Sequence, residues 1–242
     1  MSRSTTAAKQ FKVIMIGDSM VGKTSIIQRF IDETFVDNNG TSPTLAWDFK
    51  VKTMPIPEIS STGEESKSQL EQVRLYVWDT AGQERFRHIA RMYYKDICGV
   101  LLCFDLTDED SFKNLNFWLT DLQKHAPEKV CKMLLGNKAD LCTTDQVRKV
   151  PYDVAAQYAL DNGMQYFEVS AKTNENINEA FLQLTIDINR TQSQQMDMLL
   201  GMDEQLSLSE GQGRRISDRM GQKRKLKQMK KDGKKKKGGK CC

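Results

Sequence analysis

The chain has 242 residues, 39% of them hydrophobic, and a formal net charge of +4. That charge averages two unlike parts: residues 211–242 hold fourteen Lys and Arg against two Asp, which is +12, leaving 22 basic against 30 acidic residues, or −8, in the first 210. There is no apolar run of about eighteen residues to span a bilayer, and the polar start, Met1 to Gln10, predicts no secretory signal.

In chain order, residues 1–9 read as a loose tail. Val13-Ile14-Met15-Ile16 reads as a buried strand, followed by Gly17-Asp18-Ser19-Met20-Val21-Gly22-Lys23-Thr24 and a helix from Ser25. Strand, G-x-x-x-x-G-K-[ST] and helix together form a phosphate-binding loop. Glycine lets main-chain NH groups curl around phosphate, and the helix adds its positive end. The loop residues Asp18, Ser19, Met20, Val21, Gly22, Lys23, Thr24 and Ser25 are therefore assigned to the phosphates. Lys23 is expected to reach the terminal ones and the Thr24 hydroxyl to ligate Mg2+.

Val36 to Pro43 is a turn-rich loop, Trp47 to Met54 a strand, and Pro55 to Gln69, with two prolines and Ser60-Ser61-Thr62-Gly63, a connecting loop. Val73 to Trp78 is its partner strand. Gly99 to Phe104 is continuously apolar, as in a strand buried on both faces. Ser111 to His125 has helical spacing, Met133 to Gly136 is a strand, Tyr152 to Asn162 a helix and Gln165 to Val169 the last strand. Ile177, Ala180, Phe181, Leu184 and Ile188 stripe a final helix. Alternating strands and helices predict a three-layer α/β domain over 10–190 with a mainly parallel six-stranded sheet, and ligand loops at the strand carboxyl ends. Residues 191–242 are expected to be a disordered basic tail. Within it, Met196 to Leu206 reads either as a short amphipathic patch or as a solvated linker.

Four cysteines in the domain, Cys98, Cys103, Cys131 and Cys142, have neither metal-ligand nor disulfide-framework spacing, which predicts a reducing cytosolic compartment. His88 and His125 read as solvated rather than catalytic.

Two later stretches choose the base. Asn137-Lys138-Ala139-Asp140 and Ser170-Ala171-Lys172 each follow a strand. The Asp140 carboxylate can accept from guanine N1–H and the N2 amine, a donor pair that adenine lacks. The Ala171 main-chain NH can donate to O6, Asn137 can support neighbouring loops, and the Lys138 stem can cover the ring. Asp79-Thr80-Ala81-Gly82-Gln83 supplies a strand-end carboxylate for Mg2+ (Asp79), an NH for the γ-phosphate (Gly82) and an orienter of the attacking water (Gln83). Thr44, in the preceding loop, offers a hydroxyl and a carbonyl to Mg2+ and the γ-phosphate. Lys23, Thr44 and Gln83 are thus the candidate catalytic residues, and loops ordered by one phosphate are the basis of a switch.

These stretches, with Arg74 to Trp78, Arg85-Phe86-Arg87, Tyr93-Tyr94 and Phe104-Asp105-Leu106-Thr107, resemble the Ras-like small GTPases, and the Rab family in particular. The resemblance implies a P-loop GTPase with GTP/GDP and Mg2+ as ligands and slow intrinsic hydrolysis, working as a monomeric switch in vesicle trafficking. It also implies effectors, an exchange factor, an activating protein, prenylation machinery and a GDP-dissociation inhibitor as partners. Phe35 would stack on guanine, while Trp47, Phe49, Trp78 and Tyr93 would form the effector surface; ordinary core packing is the other reading of those aromatics.

The chain departs from the family pattern in three places. Leu45-Ala46-Trp47-Asp48-Phe49 replaces the usual Ile-Gly-Val/Ile-Asp-Phe, Met20 stands where a small residue is usual, and the loop between the second and third strands is longer than is common. A slowly hydrolysing or constitutively nucleotide-bound scaffold is the alternative reading.

Lys223 to Lys240 ends in Cys241-Cys242. The lysine run alone fits a solvated tail, a nucleic-acid patch or a membrane anchor. The double cysteine is similar to Rab ends that carry two geranylgeranyl chains, which favours a membrane surface over nucleic acid. Two lipids plus lysines worth about 1 kcal/mol each near an anionic leaflet give stable attachment.

Overall fold

A computed structural model of the chain describes residues 8–36, 48–59, 65–80, 92–143, 147–196 and 198. Met1–Ser193 form one compact unit. Of the second unit, Gln194–Cys242, only 194–196 and 198 are described, and they are helical.

The elements are β1 (Lys9–Ile16), α1 (Lys23–Asp32), β2 (Asp48–Ile59), β3 (Glu65–Asp79), β4 (Gly99–Asp105), α2 (Glu109–Lys113), α3 (Leu115–His125), β5 (Cys131–Asn137), α4 (Tyr152–Asp161) and β6 (Gln165–Glu168), followed by α5 (177–196). The six strands form one sheet in the order β2-β3-β1-β4-β5-β6, in which the only antiparallel neighbours are β2 and β3. The order reverses at β1, whose neighbours are β3 and β4. Loops from the carboxyl ends of β1 and its neighbours therefore diverge and leave a crevice for a ligand.

Strand alternation sorts the core into two halves. Val13, Met15, Leu101, Cys103, Met133 and Leu135 face α1 and α5, where Phe30 and Phe181 stack at 3.8 Å. Ile14, Ile16, Leu102, Phe104 and Leu134 face α3 and α4, meeting Trp118, Leu119 and Ala155. Every residue of β4 is buried, as its uninterrupted apolar run requires.

Two expectations are corrected. The described part of Pro55 to Gln69 is strand rather than loop: β2 continues to Ile59 and β3 starts at Glu65, with Pro55 opposite Gln72 and Pro57 opposite Leu70. β2 is the edge strand, where prolines two apart can both turn their nitrogens to the open side and cost no ladder bond. Ile56 between them is buried against the core. The helix expected over Ser111 to His125 is two helices meeting at Asn114, and α2 starts earlier because the Asp108 side chain caps it by accepting from Asp110 N. In addition β1 begins at Lys9, inside the expected tail.

Candidate functional site

The loop after β1 depends on local backbone geometry. Gly17 has φ 144°, and a Cβ there would lie 2.1 Å from the Cys103 carbonyl oxygen; at Gly22, φ 95°, it would lie 2.2 Å from Asn137 Nδ2. Both positions require glycine. Met20 holds φ 66° with its side chain 58% exposed, a left-handed conformation that costs a non-glycine residue about 1 kcal/mol.

Lys23, the first residue of α1, is only 5% exposed and donates to Gly17 O (2.9 Å) and Asp18 O (2.6 Å). Burial pushes its pKa down. Thr24 Oγ1 donates to Asp79 Oδ2 at 2.6 Å across from the end of β3. The other Asp79 oxygen, Oδ1, is buried without a hydrogen-bond partner, and burial pushes the carboxyl pKa up despite the Thr24 bond. An orphaned carboxylate oxygen beside a threonine hydroxyl is the donor set of a hard cation. Among the described residues no group of three or more His, Cys, Asp or Glu could hold a metal ion. A Mg2+ here would take its remaining ligands from water and substrate phosphates, as that ion commonly does.

The two stretches expected to read the base lie on two adjacent strand ends. Asn137 closes β5 and ties three loops: Nδ2 donates to Val21 O (2.8 Å) and Oδ1 accepts from Ala171 N (3.3 Å). Ser170 Oγ donates to Asp140 Oδ1 at 2.6 Å, fixing that carboxylate's orientation, and itself accepts from Thr173 N. Lys138, at φ 66°, places its ammonium 2.6 Å from Asp105 Oδ2. Lys172 offers its carbonyl to Arg29. Ser19 and Ser25 are half-buried, on the phosphate loop and in the first turn of α1.

Phe49, half-exposed Trp78 and half-buried Tyr93 form a continuous aromatic strip, with ring centroids 4.8 and 4.9 Å apart. Lys12 Nζ lies 5.3 Å above the Trp78 ring. Phe49 is 45% exposed, so the strip is open to solvent at that end. Thr44, Trp47, Gly82, Gln83, Cys241 and Cys242 lie outside the described residues.

Four features escaped the sequence reading. Asp105 holds Lys138 and also accepts from Thr107 N and Oγ1, an Asp-x-Thr turn that the local sequence does display. Arg29 bridges α1 to the base loop by donating to Ala171 O (2.8 Å) and Lys172 O (3.0 Å), and its guanidinium lies 5.9 Å from the Phe35 ring. Asp18 accepts from Asn114 Nδ2 (2.6 Å) and Trp118 Nε1 (2.7 Å), anchoring the phosphate loop to the α2–α3 junction. Arg148 grips Glu168 with two bonds, 2.7 and 2.8 Å, just before the Ser170 loop, and Tyr166 adds a third. Partners so far apart in sequence leave no local signal.

Burial raises the Glu168 pKa, but the Arg148 and Tyr166 bonds outweigh it and the net shift is downward. The pair therefore stabilises the fold above the ordinary glutamate pKa, and that stabilisation is lost as pH falls through the depressed value. Arg148→Met is expected to cost about 2 kcal/mol at neutral pH and to flatten the acid limb of the stability profile, as urea unfolding from pH 3 to 7 measures.

Comparison with known proteins agrees with this geometry. The sequence model of the Ras family matches residues 12–190. The chain is 40% identical over 179 residues to the Ras-related protein RABE1e of Arabidopsis thaliana, covering 74% of this chain and 75% of that one. It is 41% identical over 178 residues to the Ras-related protein Rab-13 of Canis lupus familiaris (74% and 79%), and 39% identical over 183 residues to the GTP-binding protein YPTM1 of Zea mays (76% and 80%). With a phosphate-loop motif after β1, an aspartate at the end of β3 and two short polar motifs after β5 and β6 of a six-stranded sheet, the chain belongs to the Ras family and is a Rab-type small GTPase.

Proposed function

We propose that the protein binds and hydrolyses GTP as a membrane-attached switch in vesicle trafficking. The observation that carries this reading is the pairing of Thr24 with a half-satisfied Asp79 beside a buried Lys23 whose ammonium donates to two carbonyls. A buried ammonium, a threonine hydroxyl and a carboxylate oxygen side by side suit a nucleoside triphosphate with its cation.

The NH groups of Asp18 to Ser25 cradle the α- and β-phosphates, and Lys23 leaves its two carbonyls for the terminal ones. Thr24, Thr44 and Asp79 would hold Mg2+, which neutralises phosphate charge when bound. Asp140 accepts from N1–H and N2 of guanine, Ala171 NH turns to O6, Lys138 and Phe35 cover the ring, and Ser170 and Lys172 support the loop. Gln83 orients the attacking water while Gly82 NH holds the γ-phosphate. Intrinsic turnover is slow, and an activating protein contributes on the order of a thousandfold or more.

Gln83→Leu is expected to lower the single-turnover hydrolysis rate tenfold or more, on the order of the effect of a water-positioning residue. Equal rates in wild type and variant, or no hydrolysis in either, favour the constitutive scaffold instead.

Effectors dock on Trp47, Phe49, Trp78 and Tyr93. An exchange factor and an activating protein set the nucleotide state, and a GDP-dissociation inhibitor carries the lipidated form. Among the described residues no helix is long and apolar enough to cross a membrane; attachment runs through prenyl groups on Cys241 and Cys242 together with the basic tail. Replacing both cysteines by Ser is expected to move the protein from the membrane pellet to the supernatant on cell fractionation, and persistence in the pellet rejects lipid attachment.

A further inference from the structure

Cys98 and Cys131 are 33 positions apart in sequence, yet they meet at the amino-terminal ends of β4 and β5, the sheet end opposite the nucleotide loops. Cys131 N donates to Cys98 O at 3.0 Å, and Cys131 stands in register with Gly99. Cys98 lies one residue before β4, so strand alternation does not turn it to the opposite face, and its contact with α5 puts it on the side of Cys131; strand spacing and rise then set the two Cα atoms about 6 Å apart, a separation a disulfide spans. Both thiols are free, half-buried and packed against the same core half, under α5.

Consecutive residues of that helix hold them. Thr191 Oγ1 lies 3.4 Å from Cys131 Sγ, and Gln192 Nε2 donates to Cys98 Sγ at 3.2 Å. The Lys12 ammonium is close enough to interact with Cys98, although Asp96 shares that neighbourhood. Cys98 thus has an amide N–H donor on its sulfur and a cation nearby. At Cys131 burial pushes the thiol pKa up, Thr191 opposes that shift and Asp187 adds to it. Cys103, fully buried, is pushed up to about 12 by burial and is inert.

We propose that Cys98 and Cys131 form a peroxide-responsive dithiol, in which Cys98 reacts first and Cys131 resolves it to an intramolecular disulfide. The Cys98 thiolate attacks hydrogen peroxide; an S–O bond forms, the O–O bond breaks, and the departing hydroxide takes a proton to become water. Cys131 sulfur then displaces the hydroxyl from Cys98: the S–S bond forms, the S–O bond breaks, and a second water leaves with the Cys131 proton. The two thiols lose two electrons and two protons in all, and the peroxide becomes two waters. A cellular dithiol reverses the step. Drawing the sulfurs together removes them from Thr191 and Gln192, so oxidation loosens the part of α5 that precedes the tail.

The test uses the full chain, treated with hydrogen peroxide, alkylated and digested with trypsin. Mass spectrometry is expected to find the peptides Asp96–Lys113 and Val130–Lys132 joined with the loss of two hydrogens, and separate again after dithiothreitol. Because the first peptide also contains Cys103, C98S must abolish the linkage. C131S must instead accumulate a Cys98 sulfenic acid that dimedone labels severalfold more than in wild type. Hydrogen exchange of the amides around Gln192 should rise severalfold on oxidation of wild type and stay unchanged in C131S. The proposal is overturned if the linkage survives in C98S, or if Cys98 and Cys131 oxidise singly to sulfinic acids without joining.

Discussion

Asp140→Asn is expected to weaken GTP binding about a thousandfold and to gain binding of xanthosine triphosphate. Two hydrogen bonds from guanine to a carboxylate contribute roughly 1.5–3 kcal/mol each, and an asparagine amide would set its NH2 against the N2 amine, donor facing donor. Xanthine carries an oxygen at that carbon and restores the match. The geometry favours a clean result, because Ser170 Oγ holds Asp140 Oδ1 at 2.6 Å and an asparagine carbonyl oxygen accepts the same bond. Calorimetric titration of the nucleotide-free protein with each triphosphate measures both effects. Undiminished GTP affinity would remove Asp140 from the base site.

Lys23→Met is expected to change two properties in opposite directions. Nucleotide affinity should fall on the order of a thousandfold or more, since this ammonium is proposed to reach the terminal phosphates. The nucleotide-free protein should become more stable. Lys23 is buried, it donates only to the Gly17 and Asp18 carbonyls, and it makes no ion pair among the described residues. A methionine of similar length removes a buried charge whose desolvation outweighs the attraction of Asp79 and Asp18, a gain of about 1–2 kcal/mol, or roughly 3–6 °C in Tm. Thermal unfolding with and without GTP reads both changes. A variant that loses affinity and stability together would show that the carbonyl bonds outweigh the desolvation of the ammonium, and Lys23 would then stabilise the empty loop rather than strain it.

The same local logic explains which parts of the site were open to sequence reasoning. The phosphate loop is contiguous, and its two glycines hold positive φ whatever packs against them, so eight residues in a row announce it. Asn137 to Asp140 and Ser170 to Lys172 are legible as short motifs at strand ends. Their supports are not: Arg29 reaches Ala171, Trp118 reaches Asp18 and Lys138 reaches Asp105 only after strands and helices have packed. The second-to-third strand connection misled for another reason. Pro55 and Pro57 carry a loop signature by composition, and only the position of β2 at the sheet edge makes them harmless in a strand.

Cys98 and Cys131 show the same limit from the opposite side. Their spacing in sequence matches no disulfide or metal pattern, while parallel pairing of β4 with β5 makes them neighbours. Sequence alone determined the alternation of strands and helices, the phosphate loop and the base-reading motifs, because each depends on residues within a turn or two of one another and on backbone chemistry that neighbouring side chains dictate. Only the tertiary structure decided the edge position of β2, the anchoring of the phosphate loop on α3, the unpartnered oxygen of Asp79 and the meeting of the two thiols. Each of these depends on which strands lie side by side, and that order is set by burying two apolar sheet faces at once rather than by any local pattern.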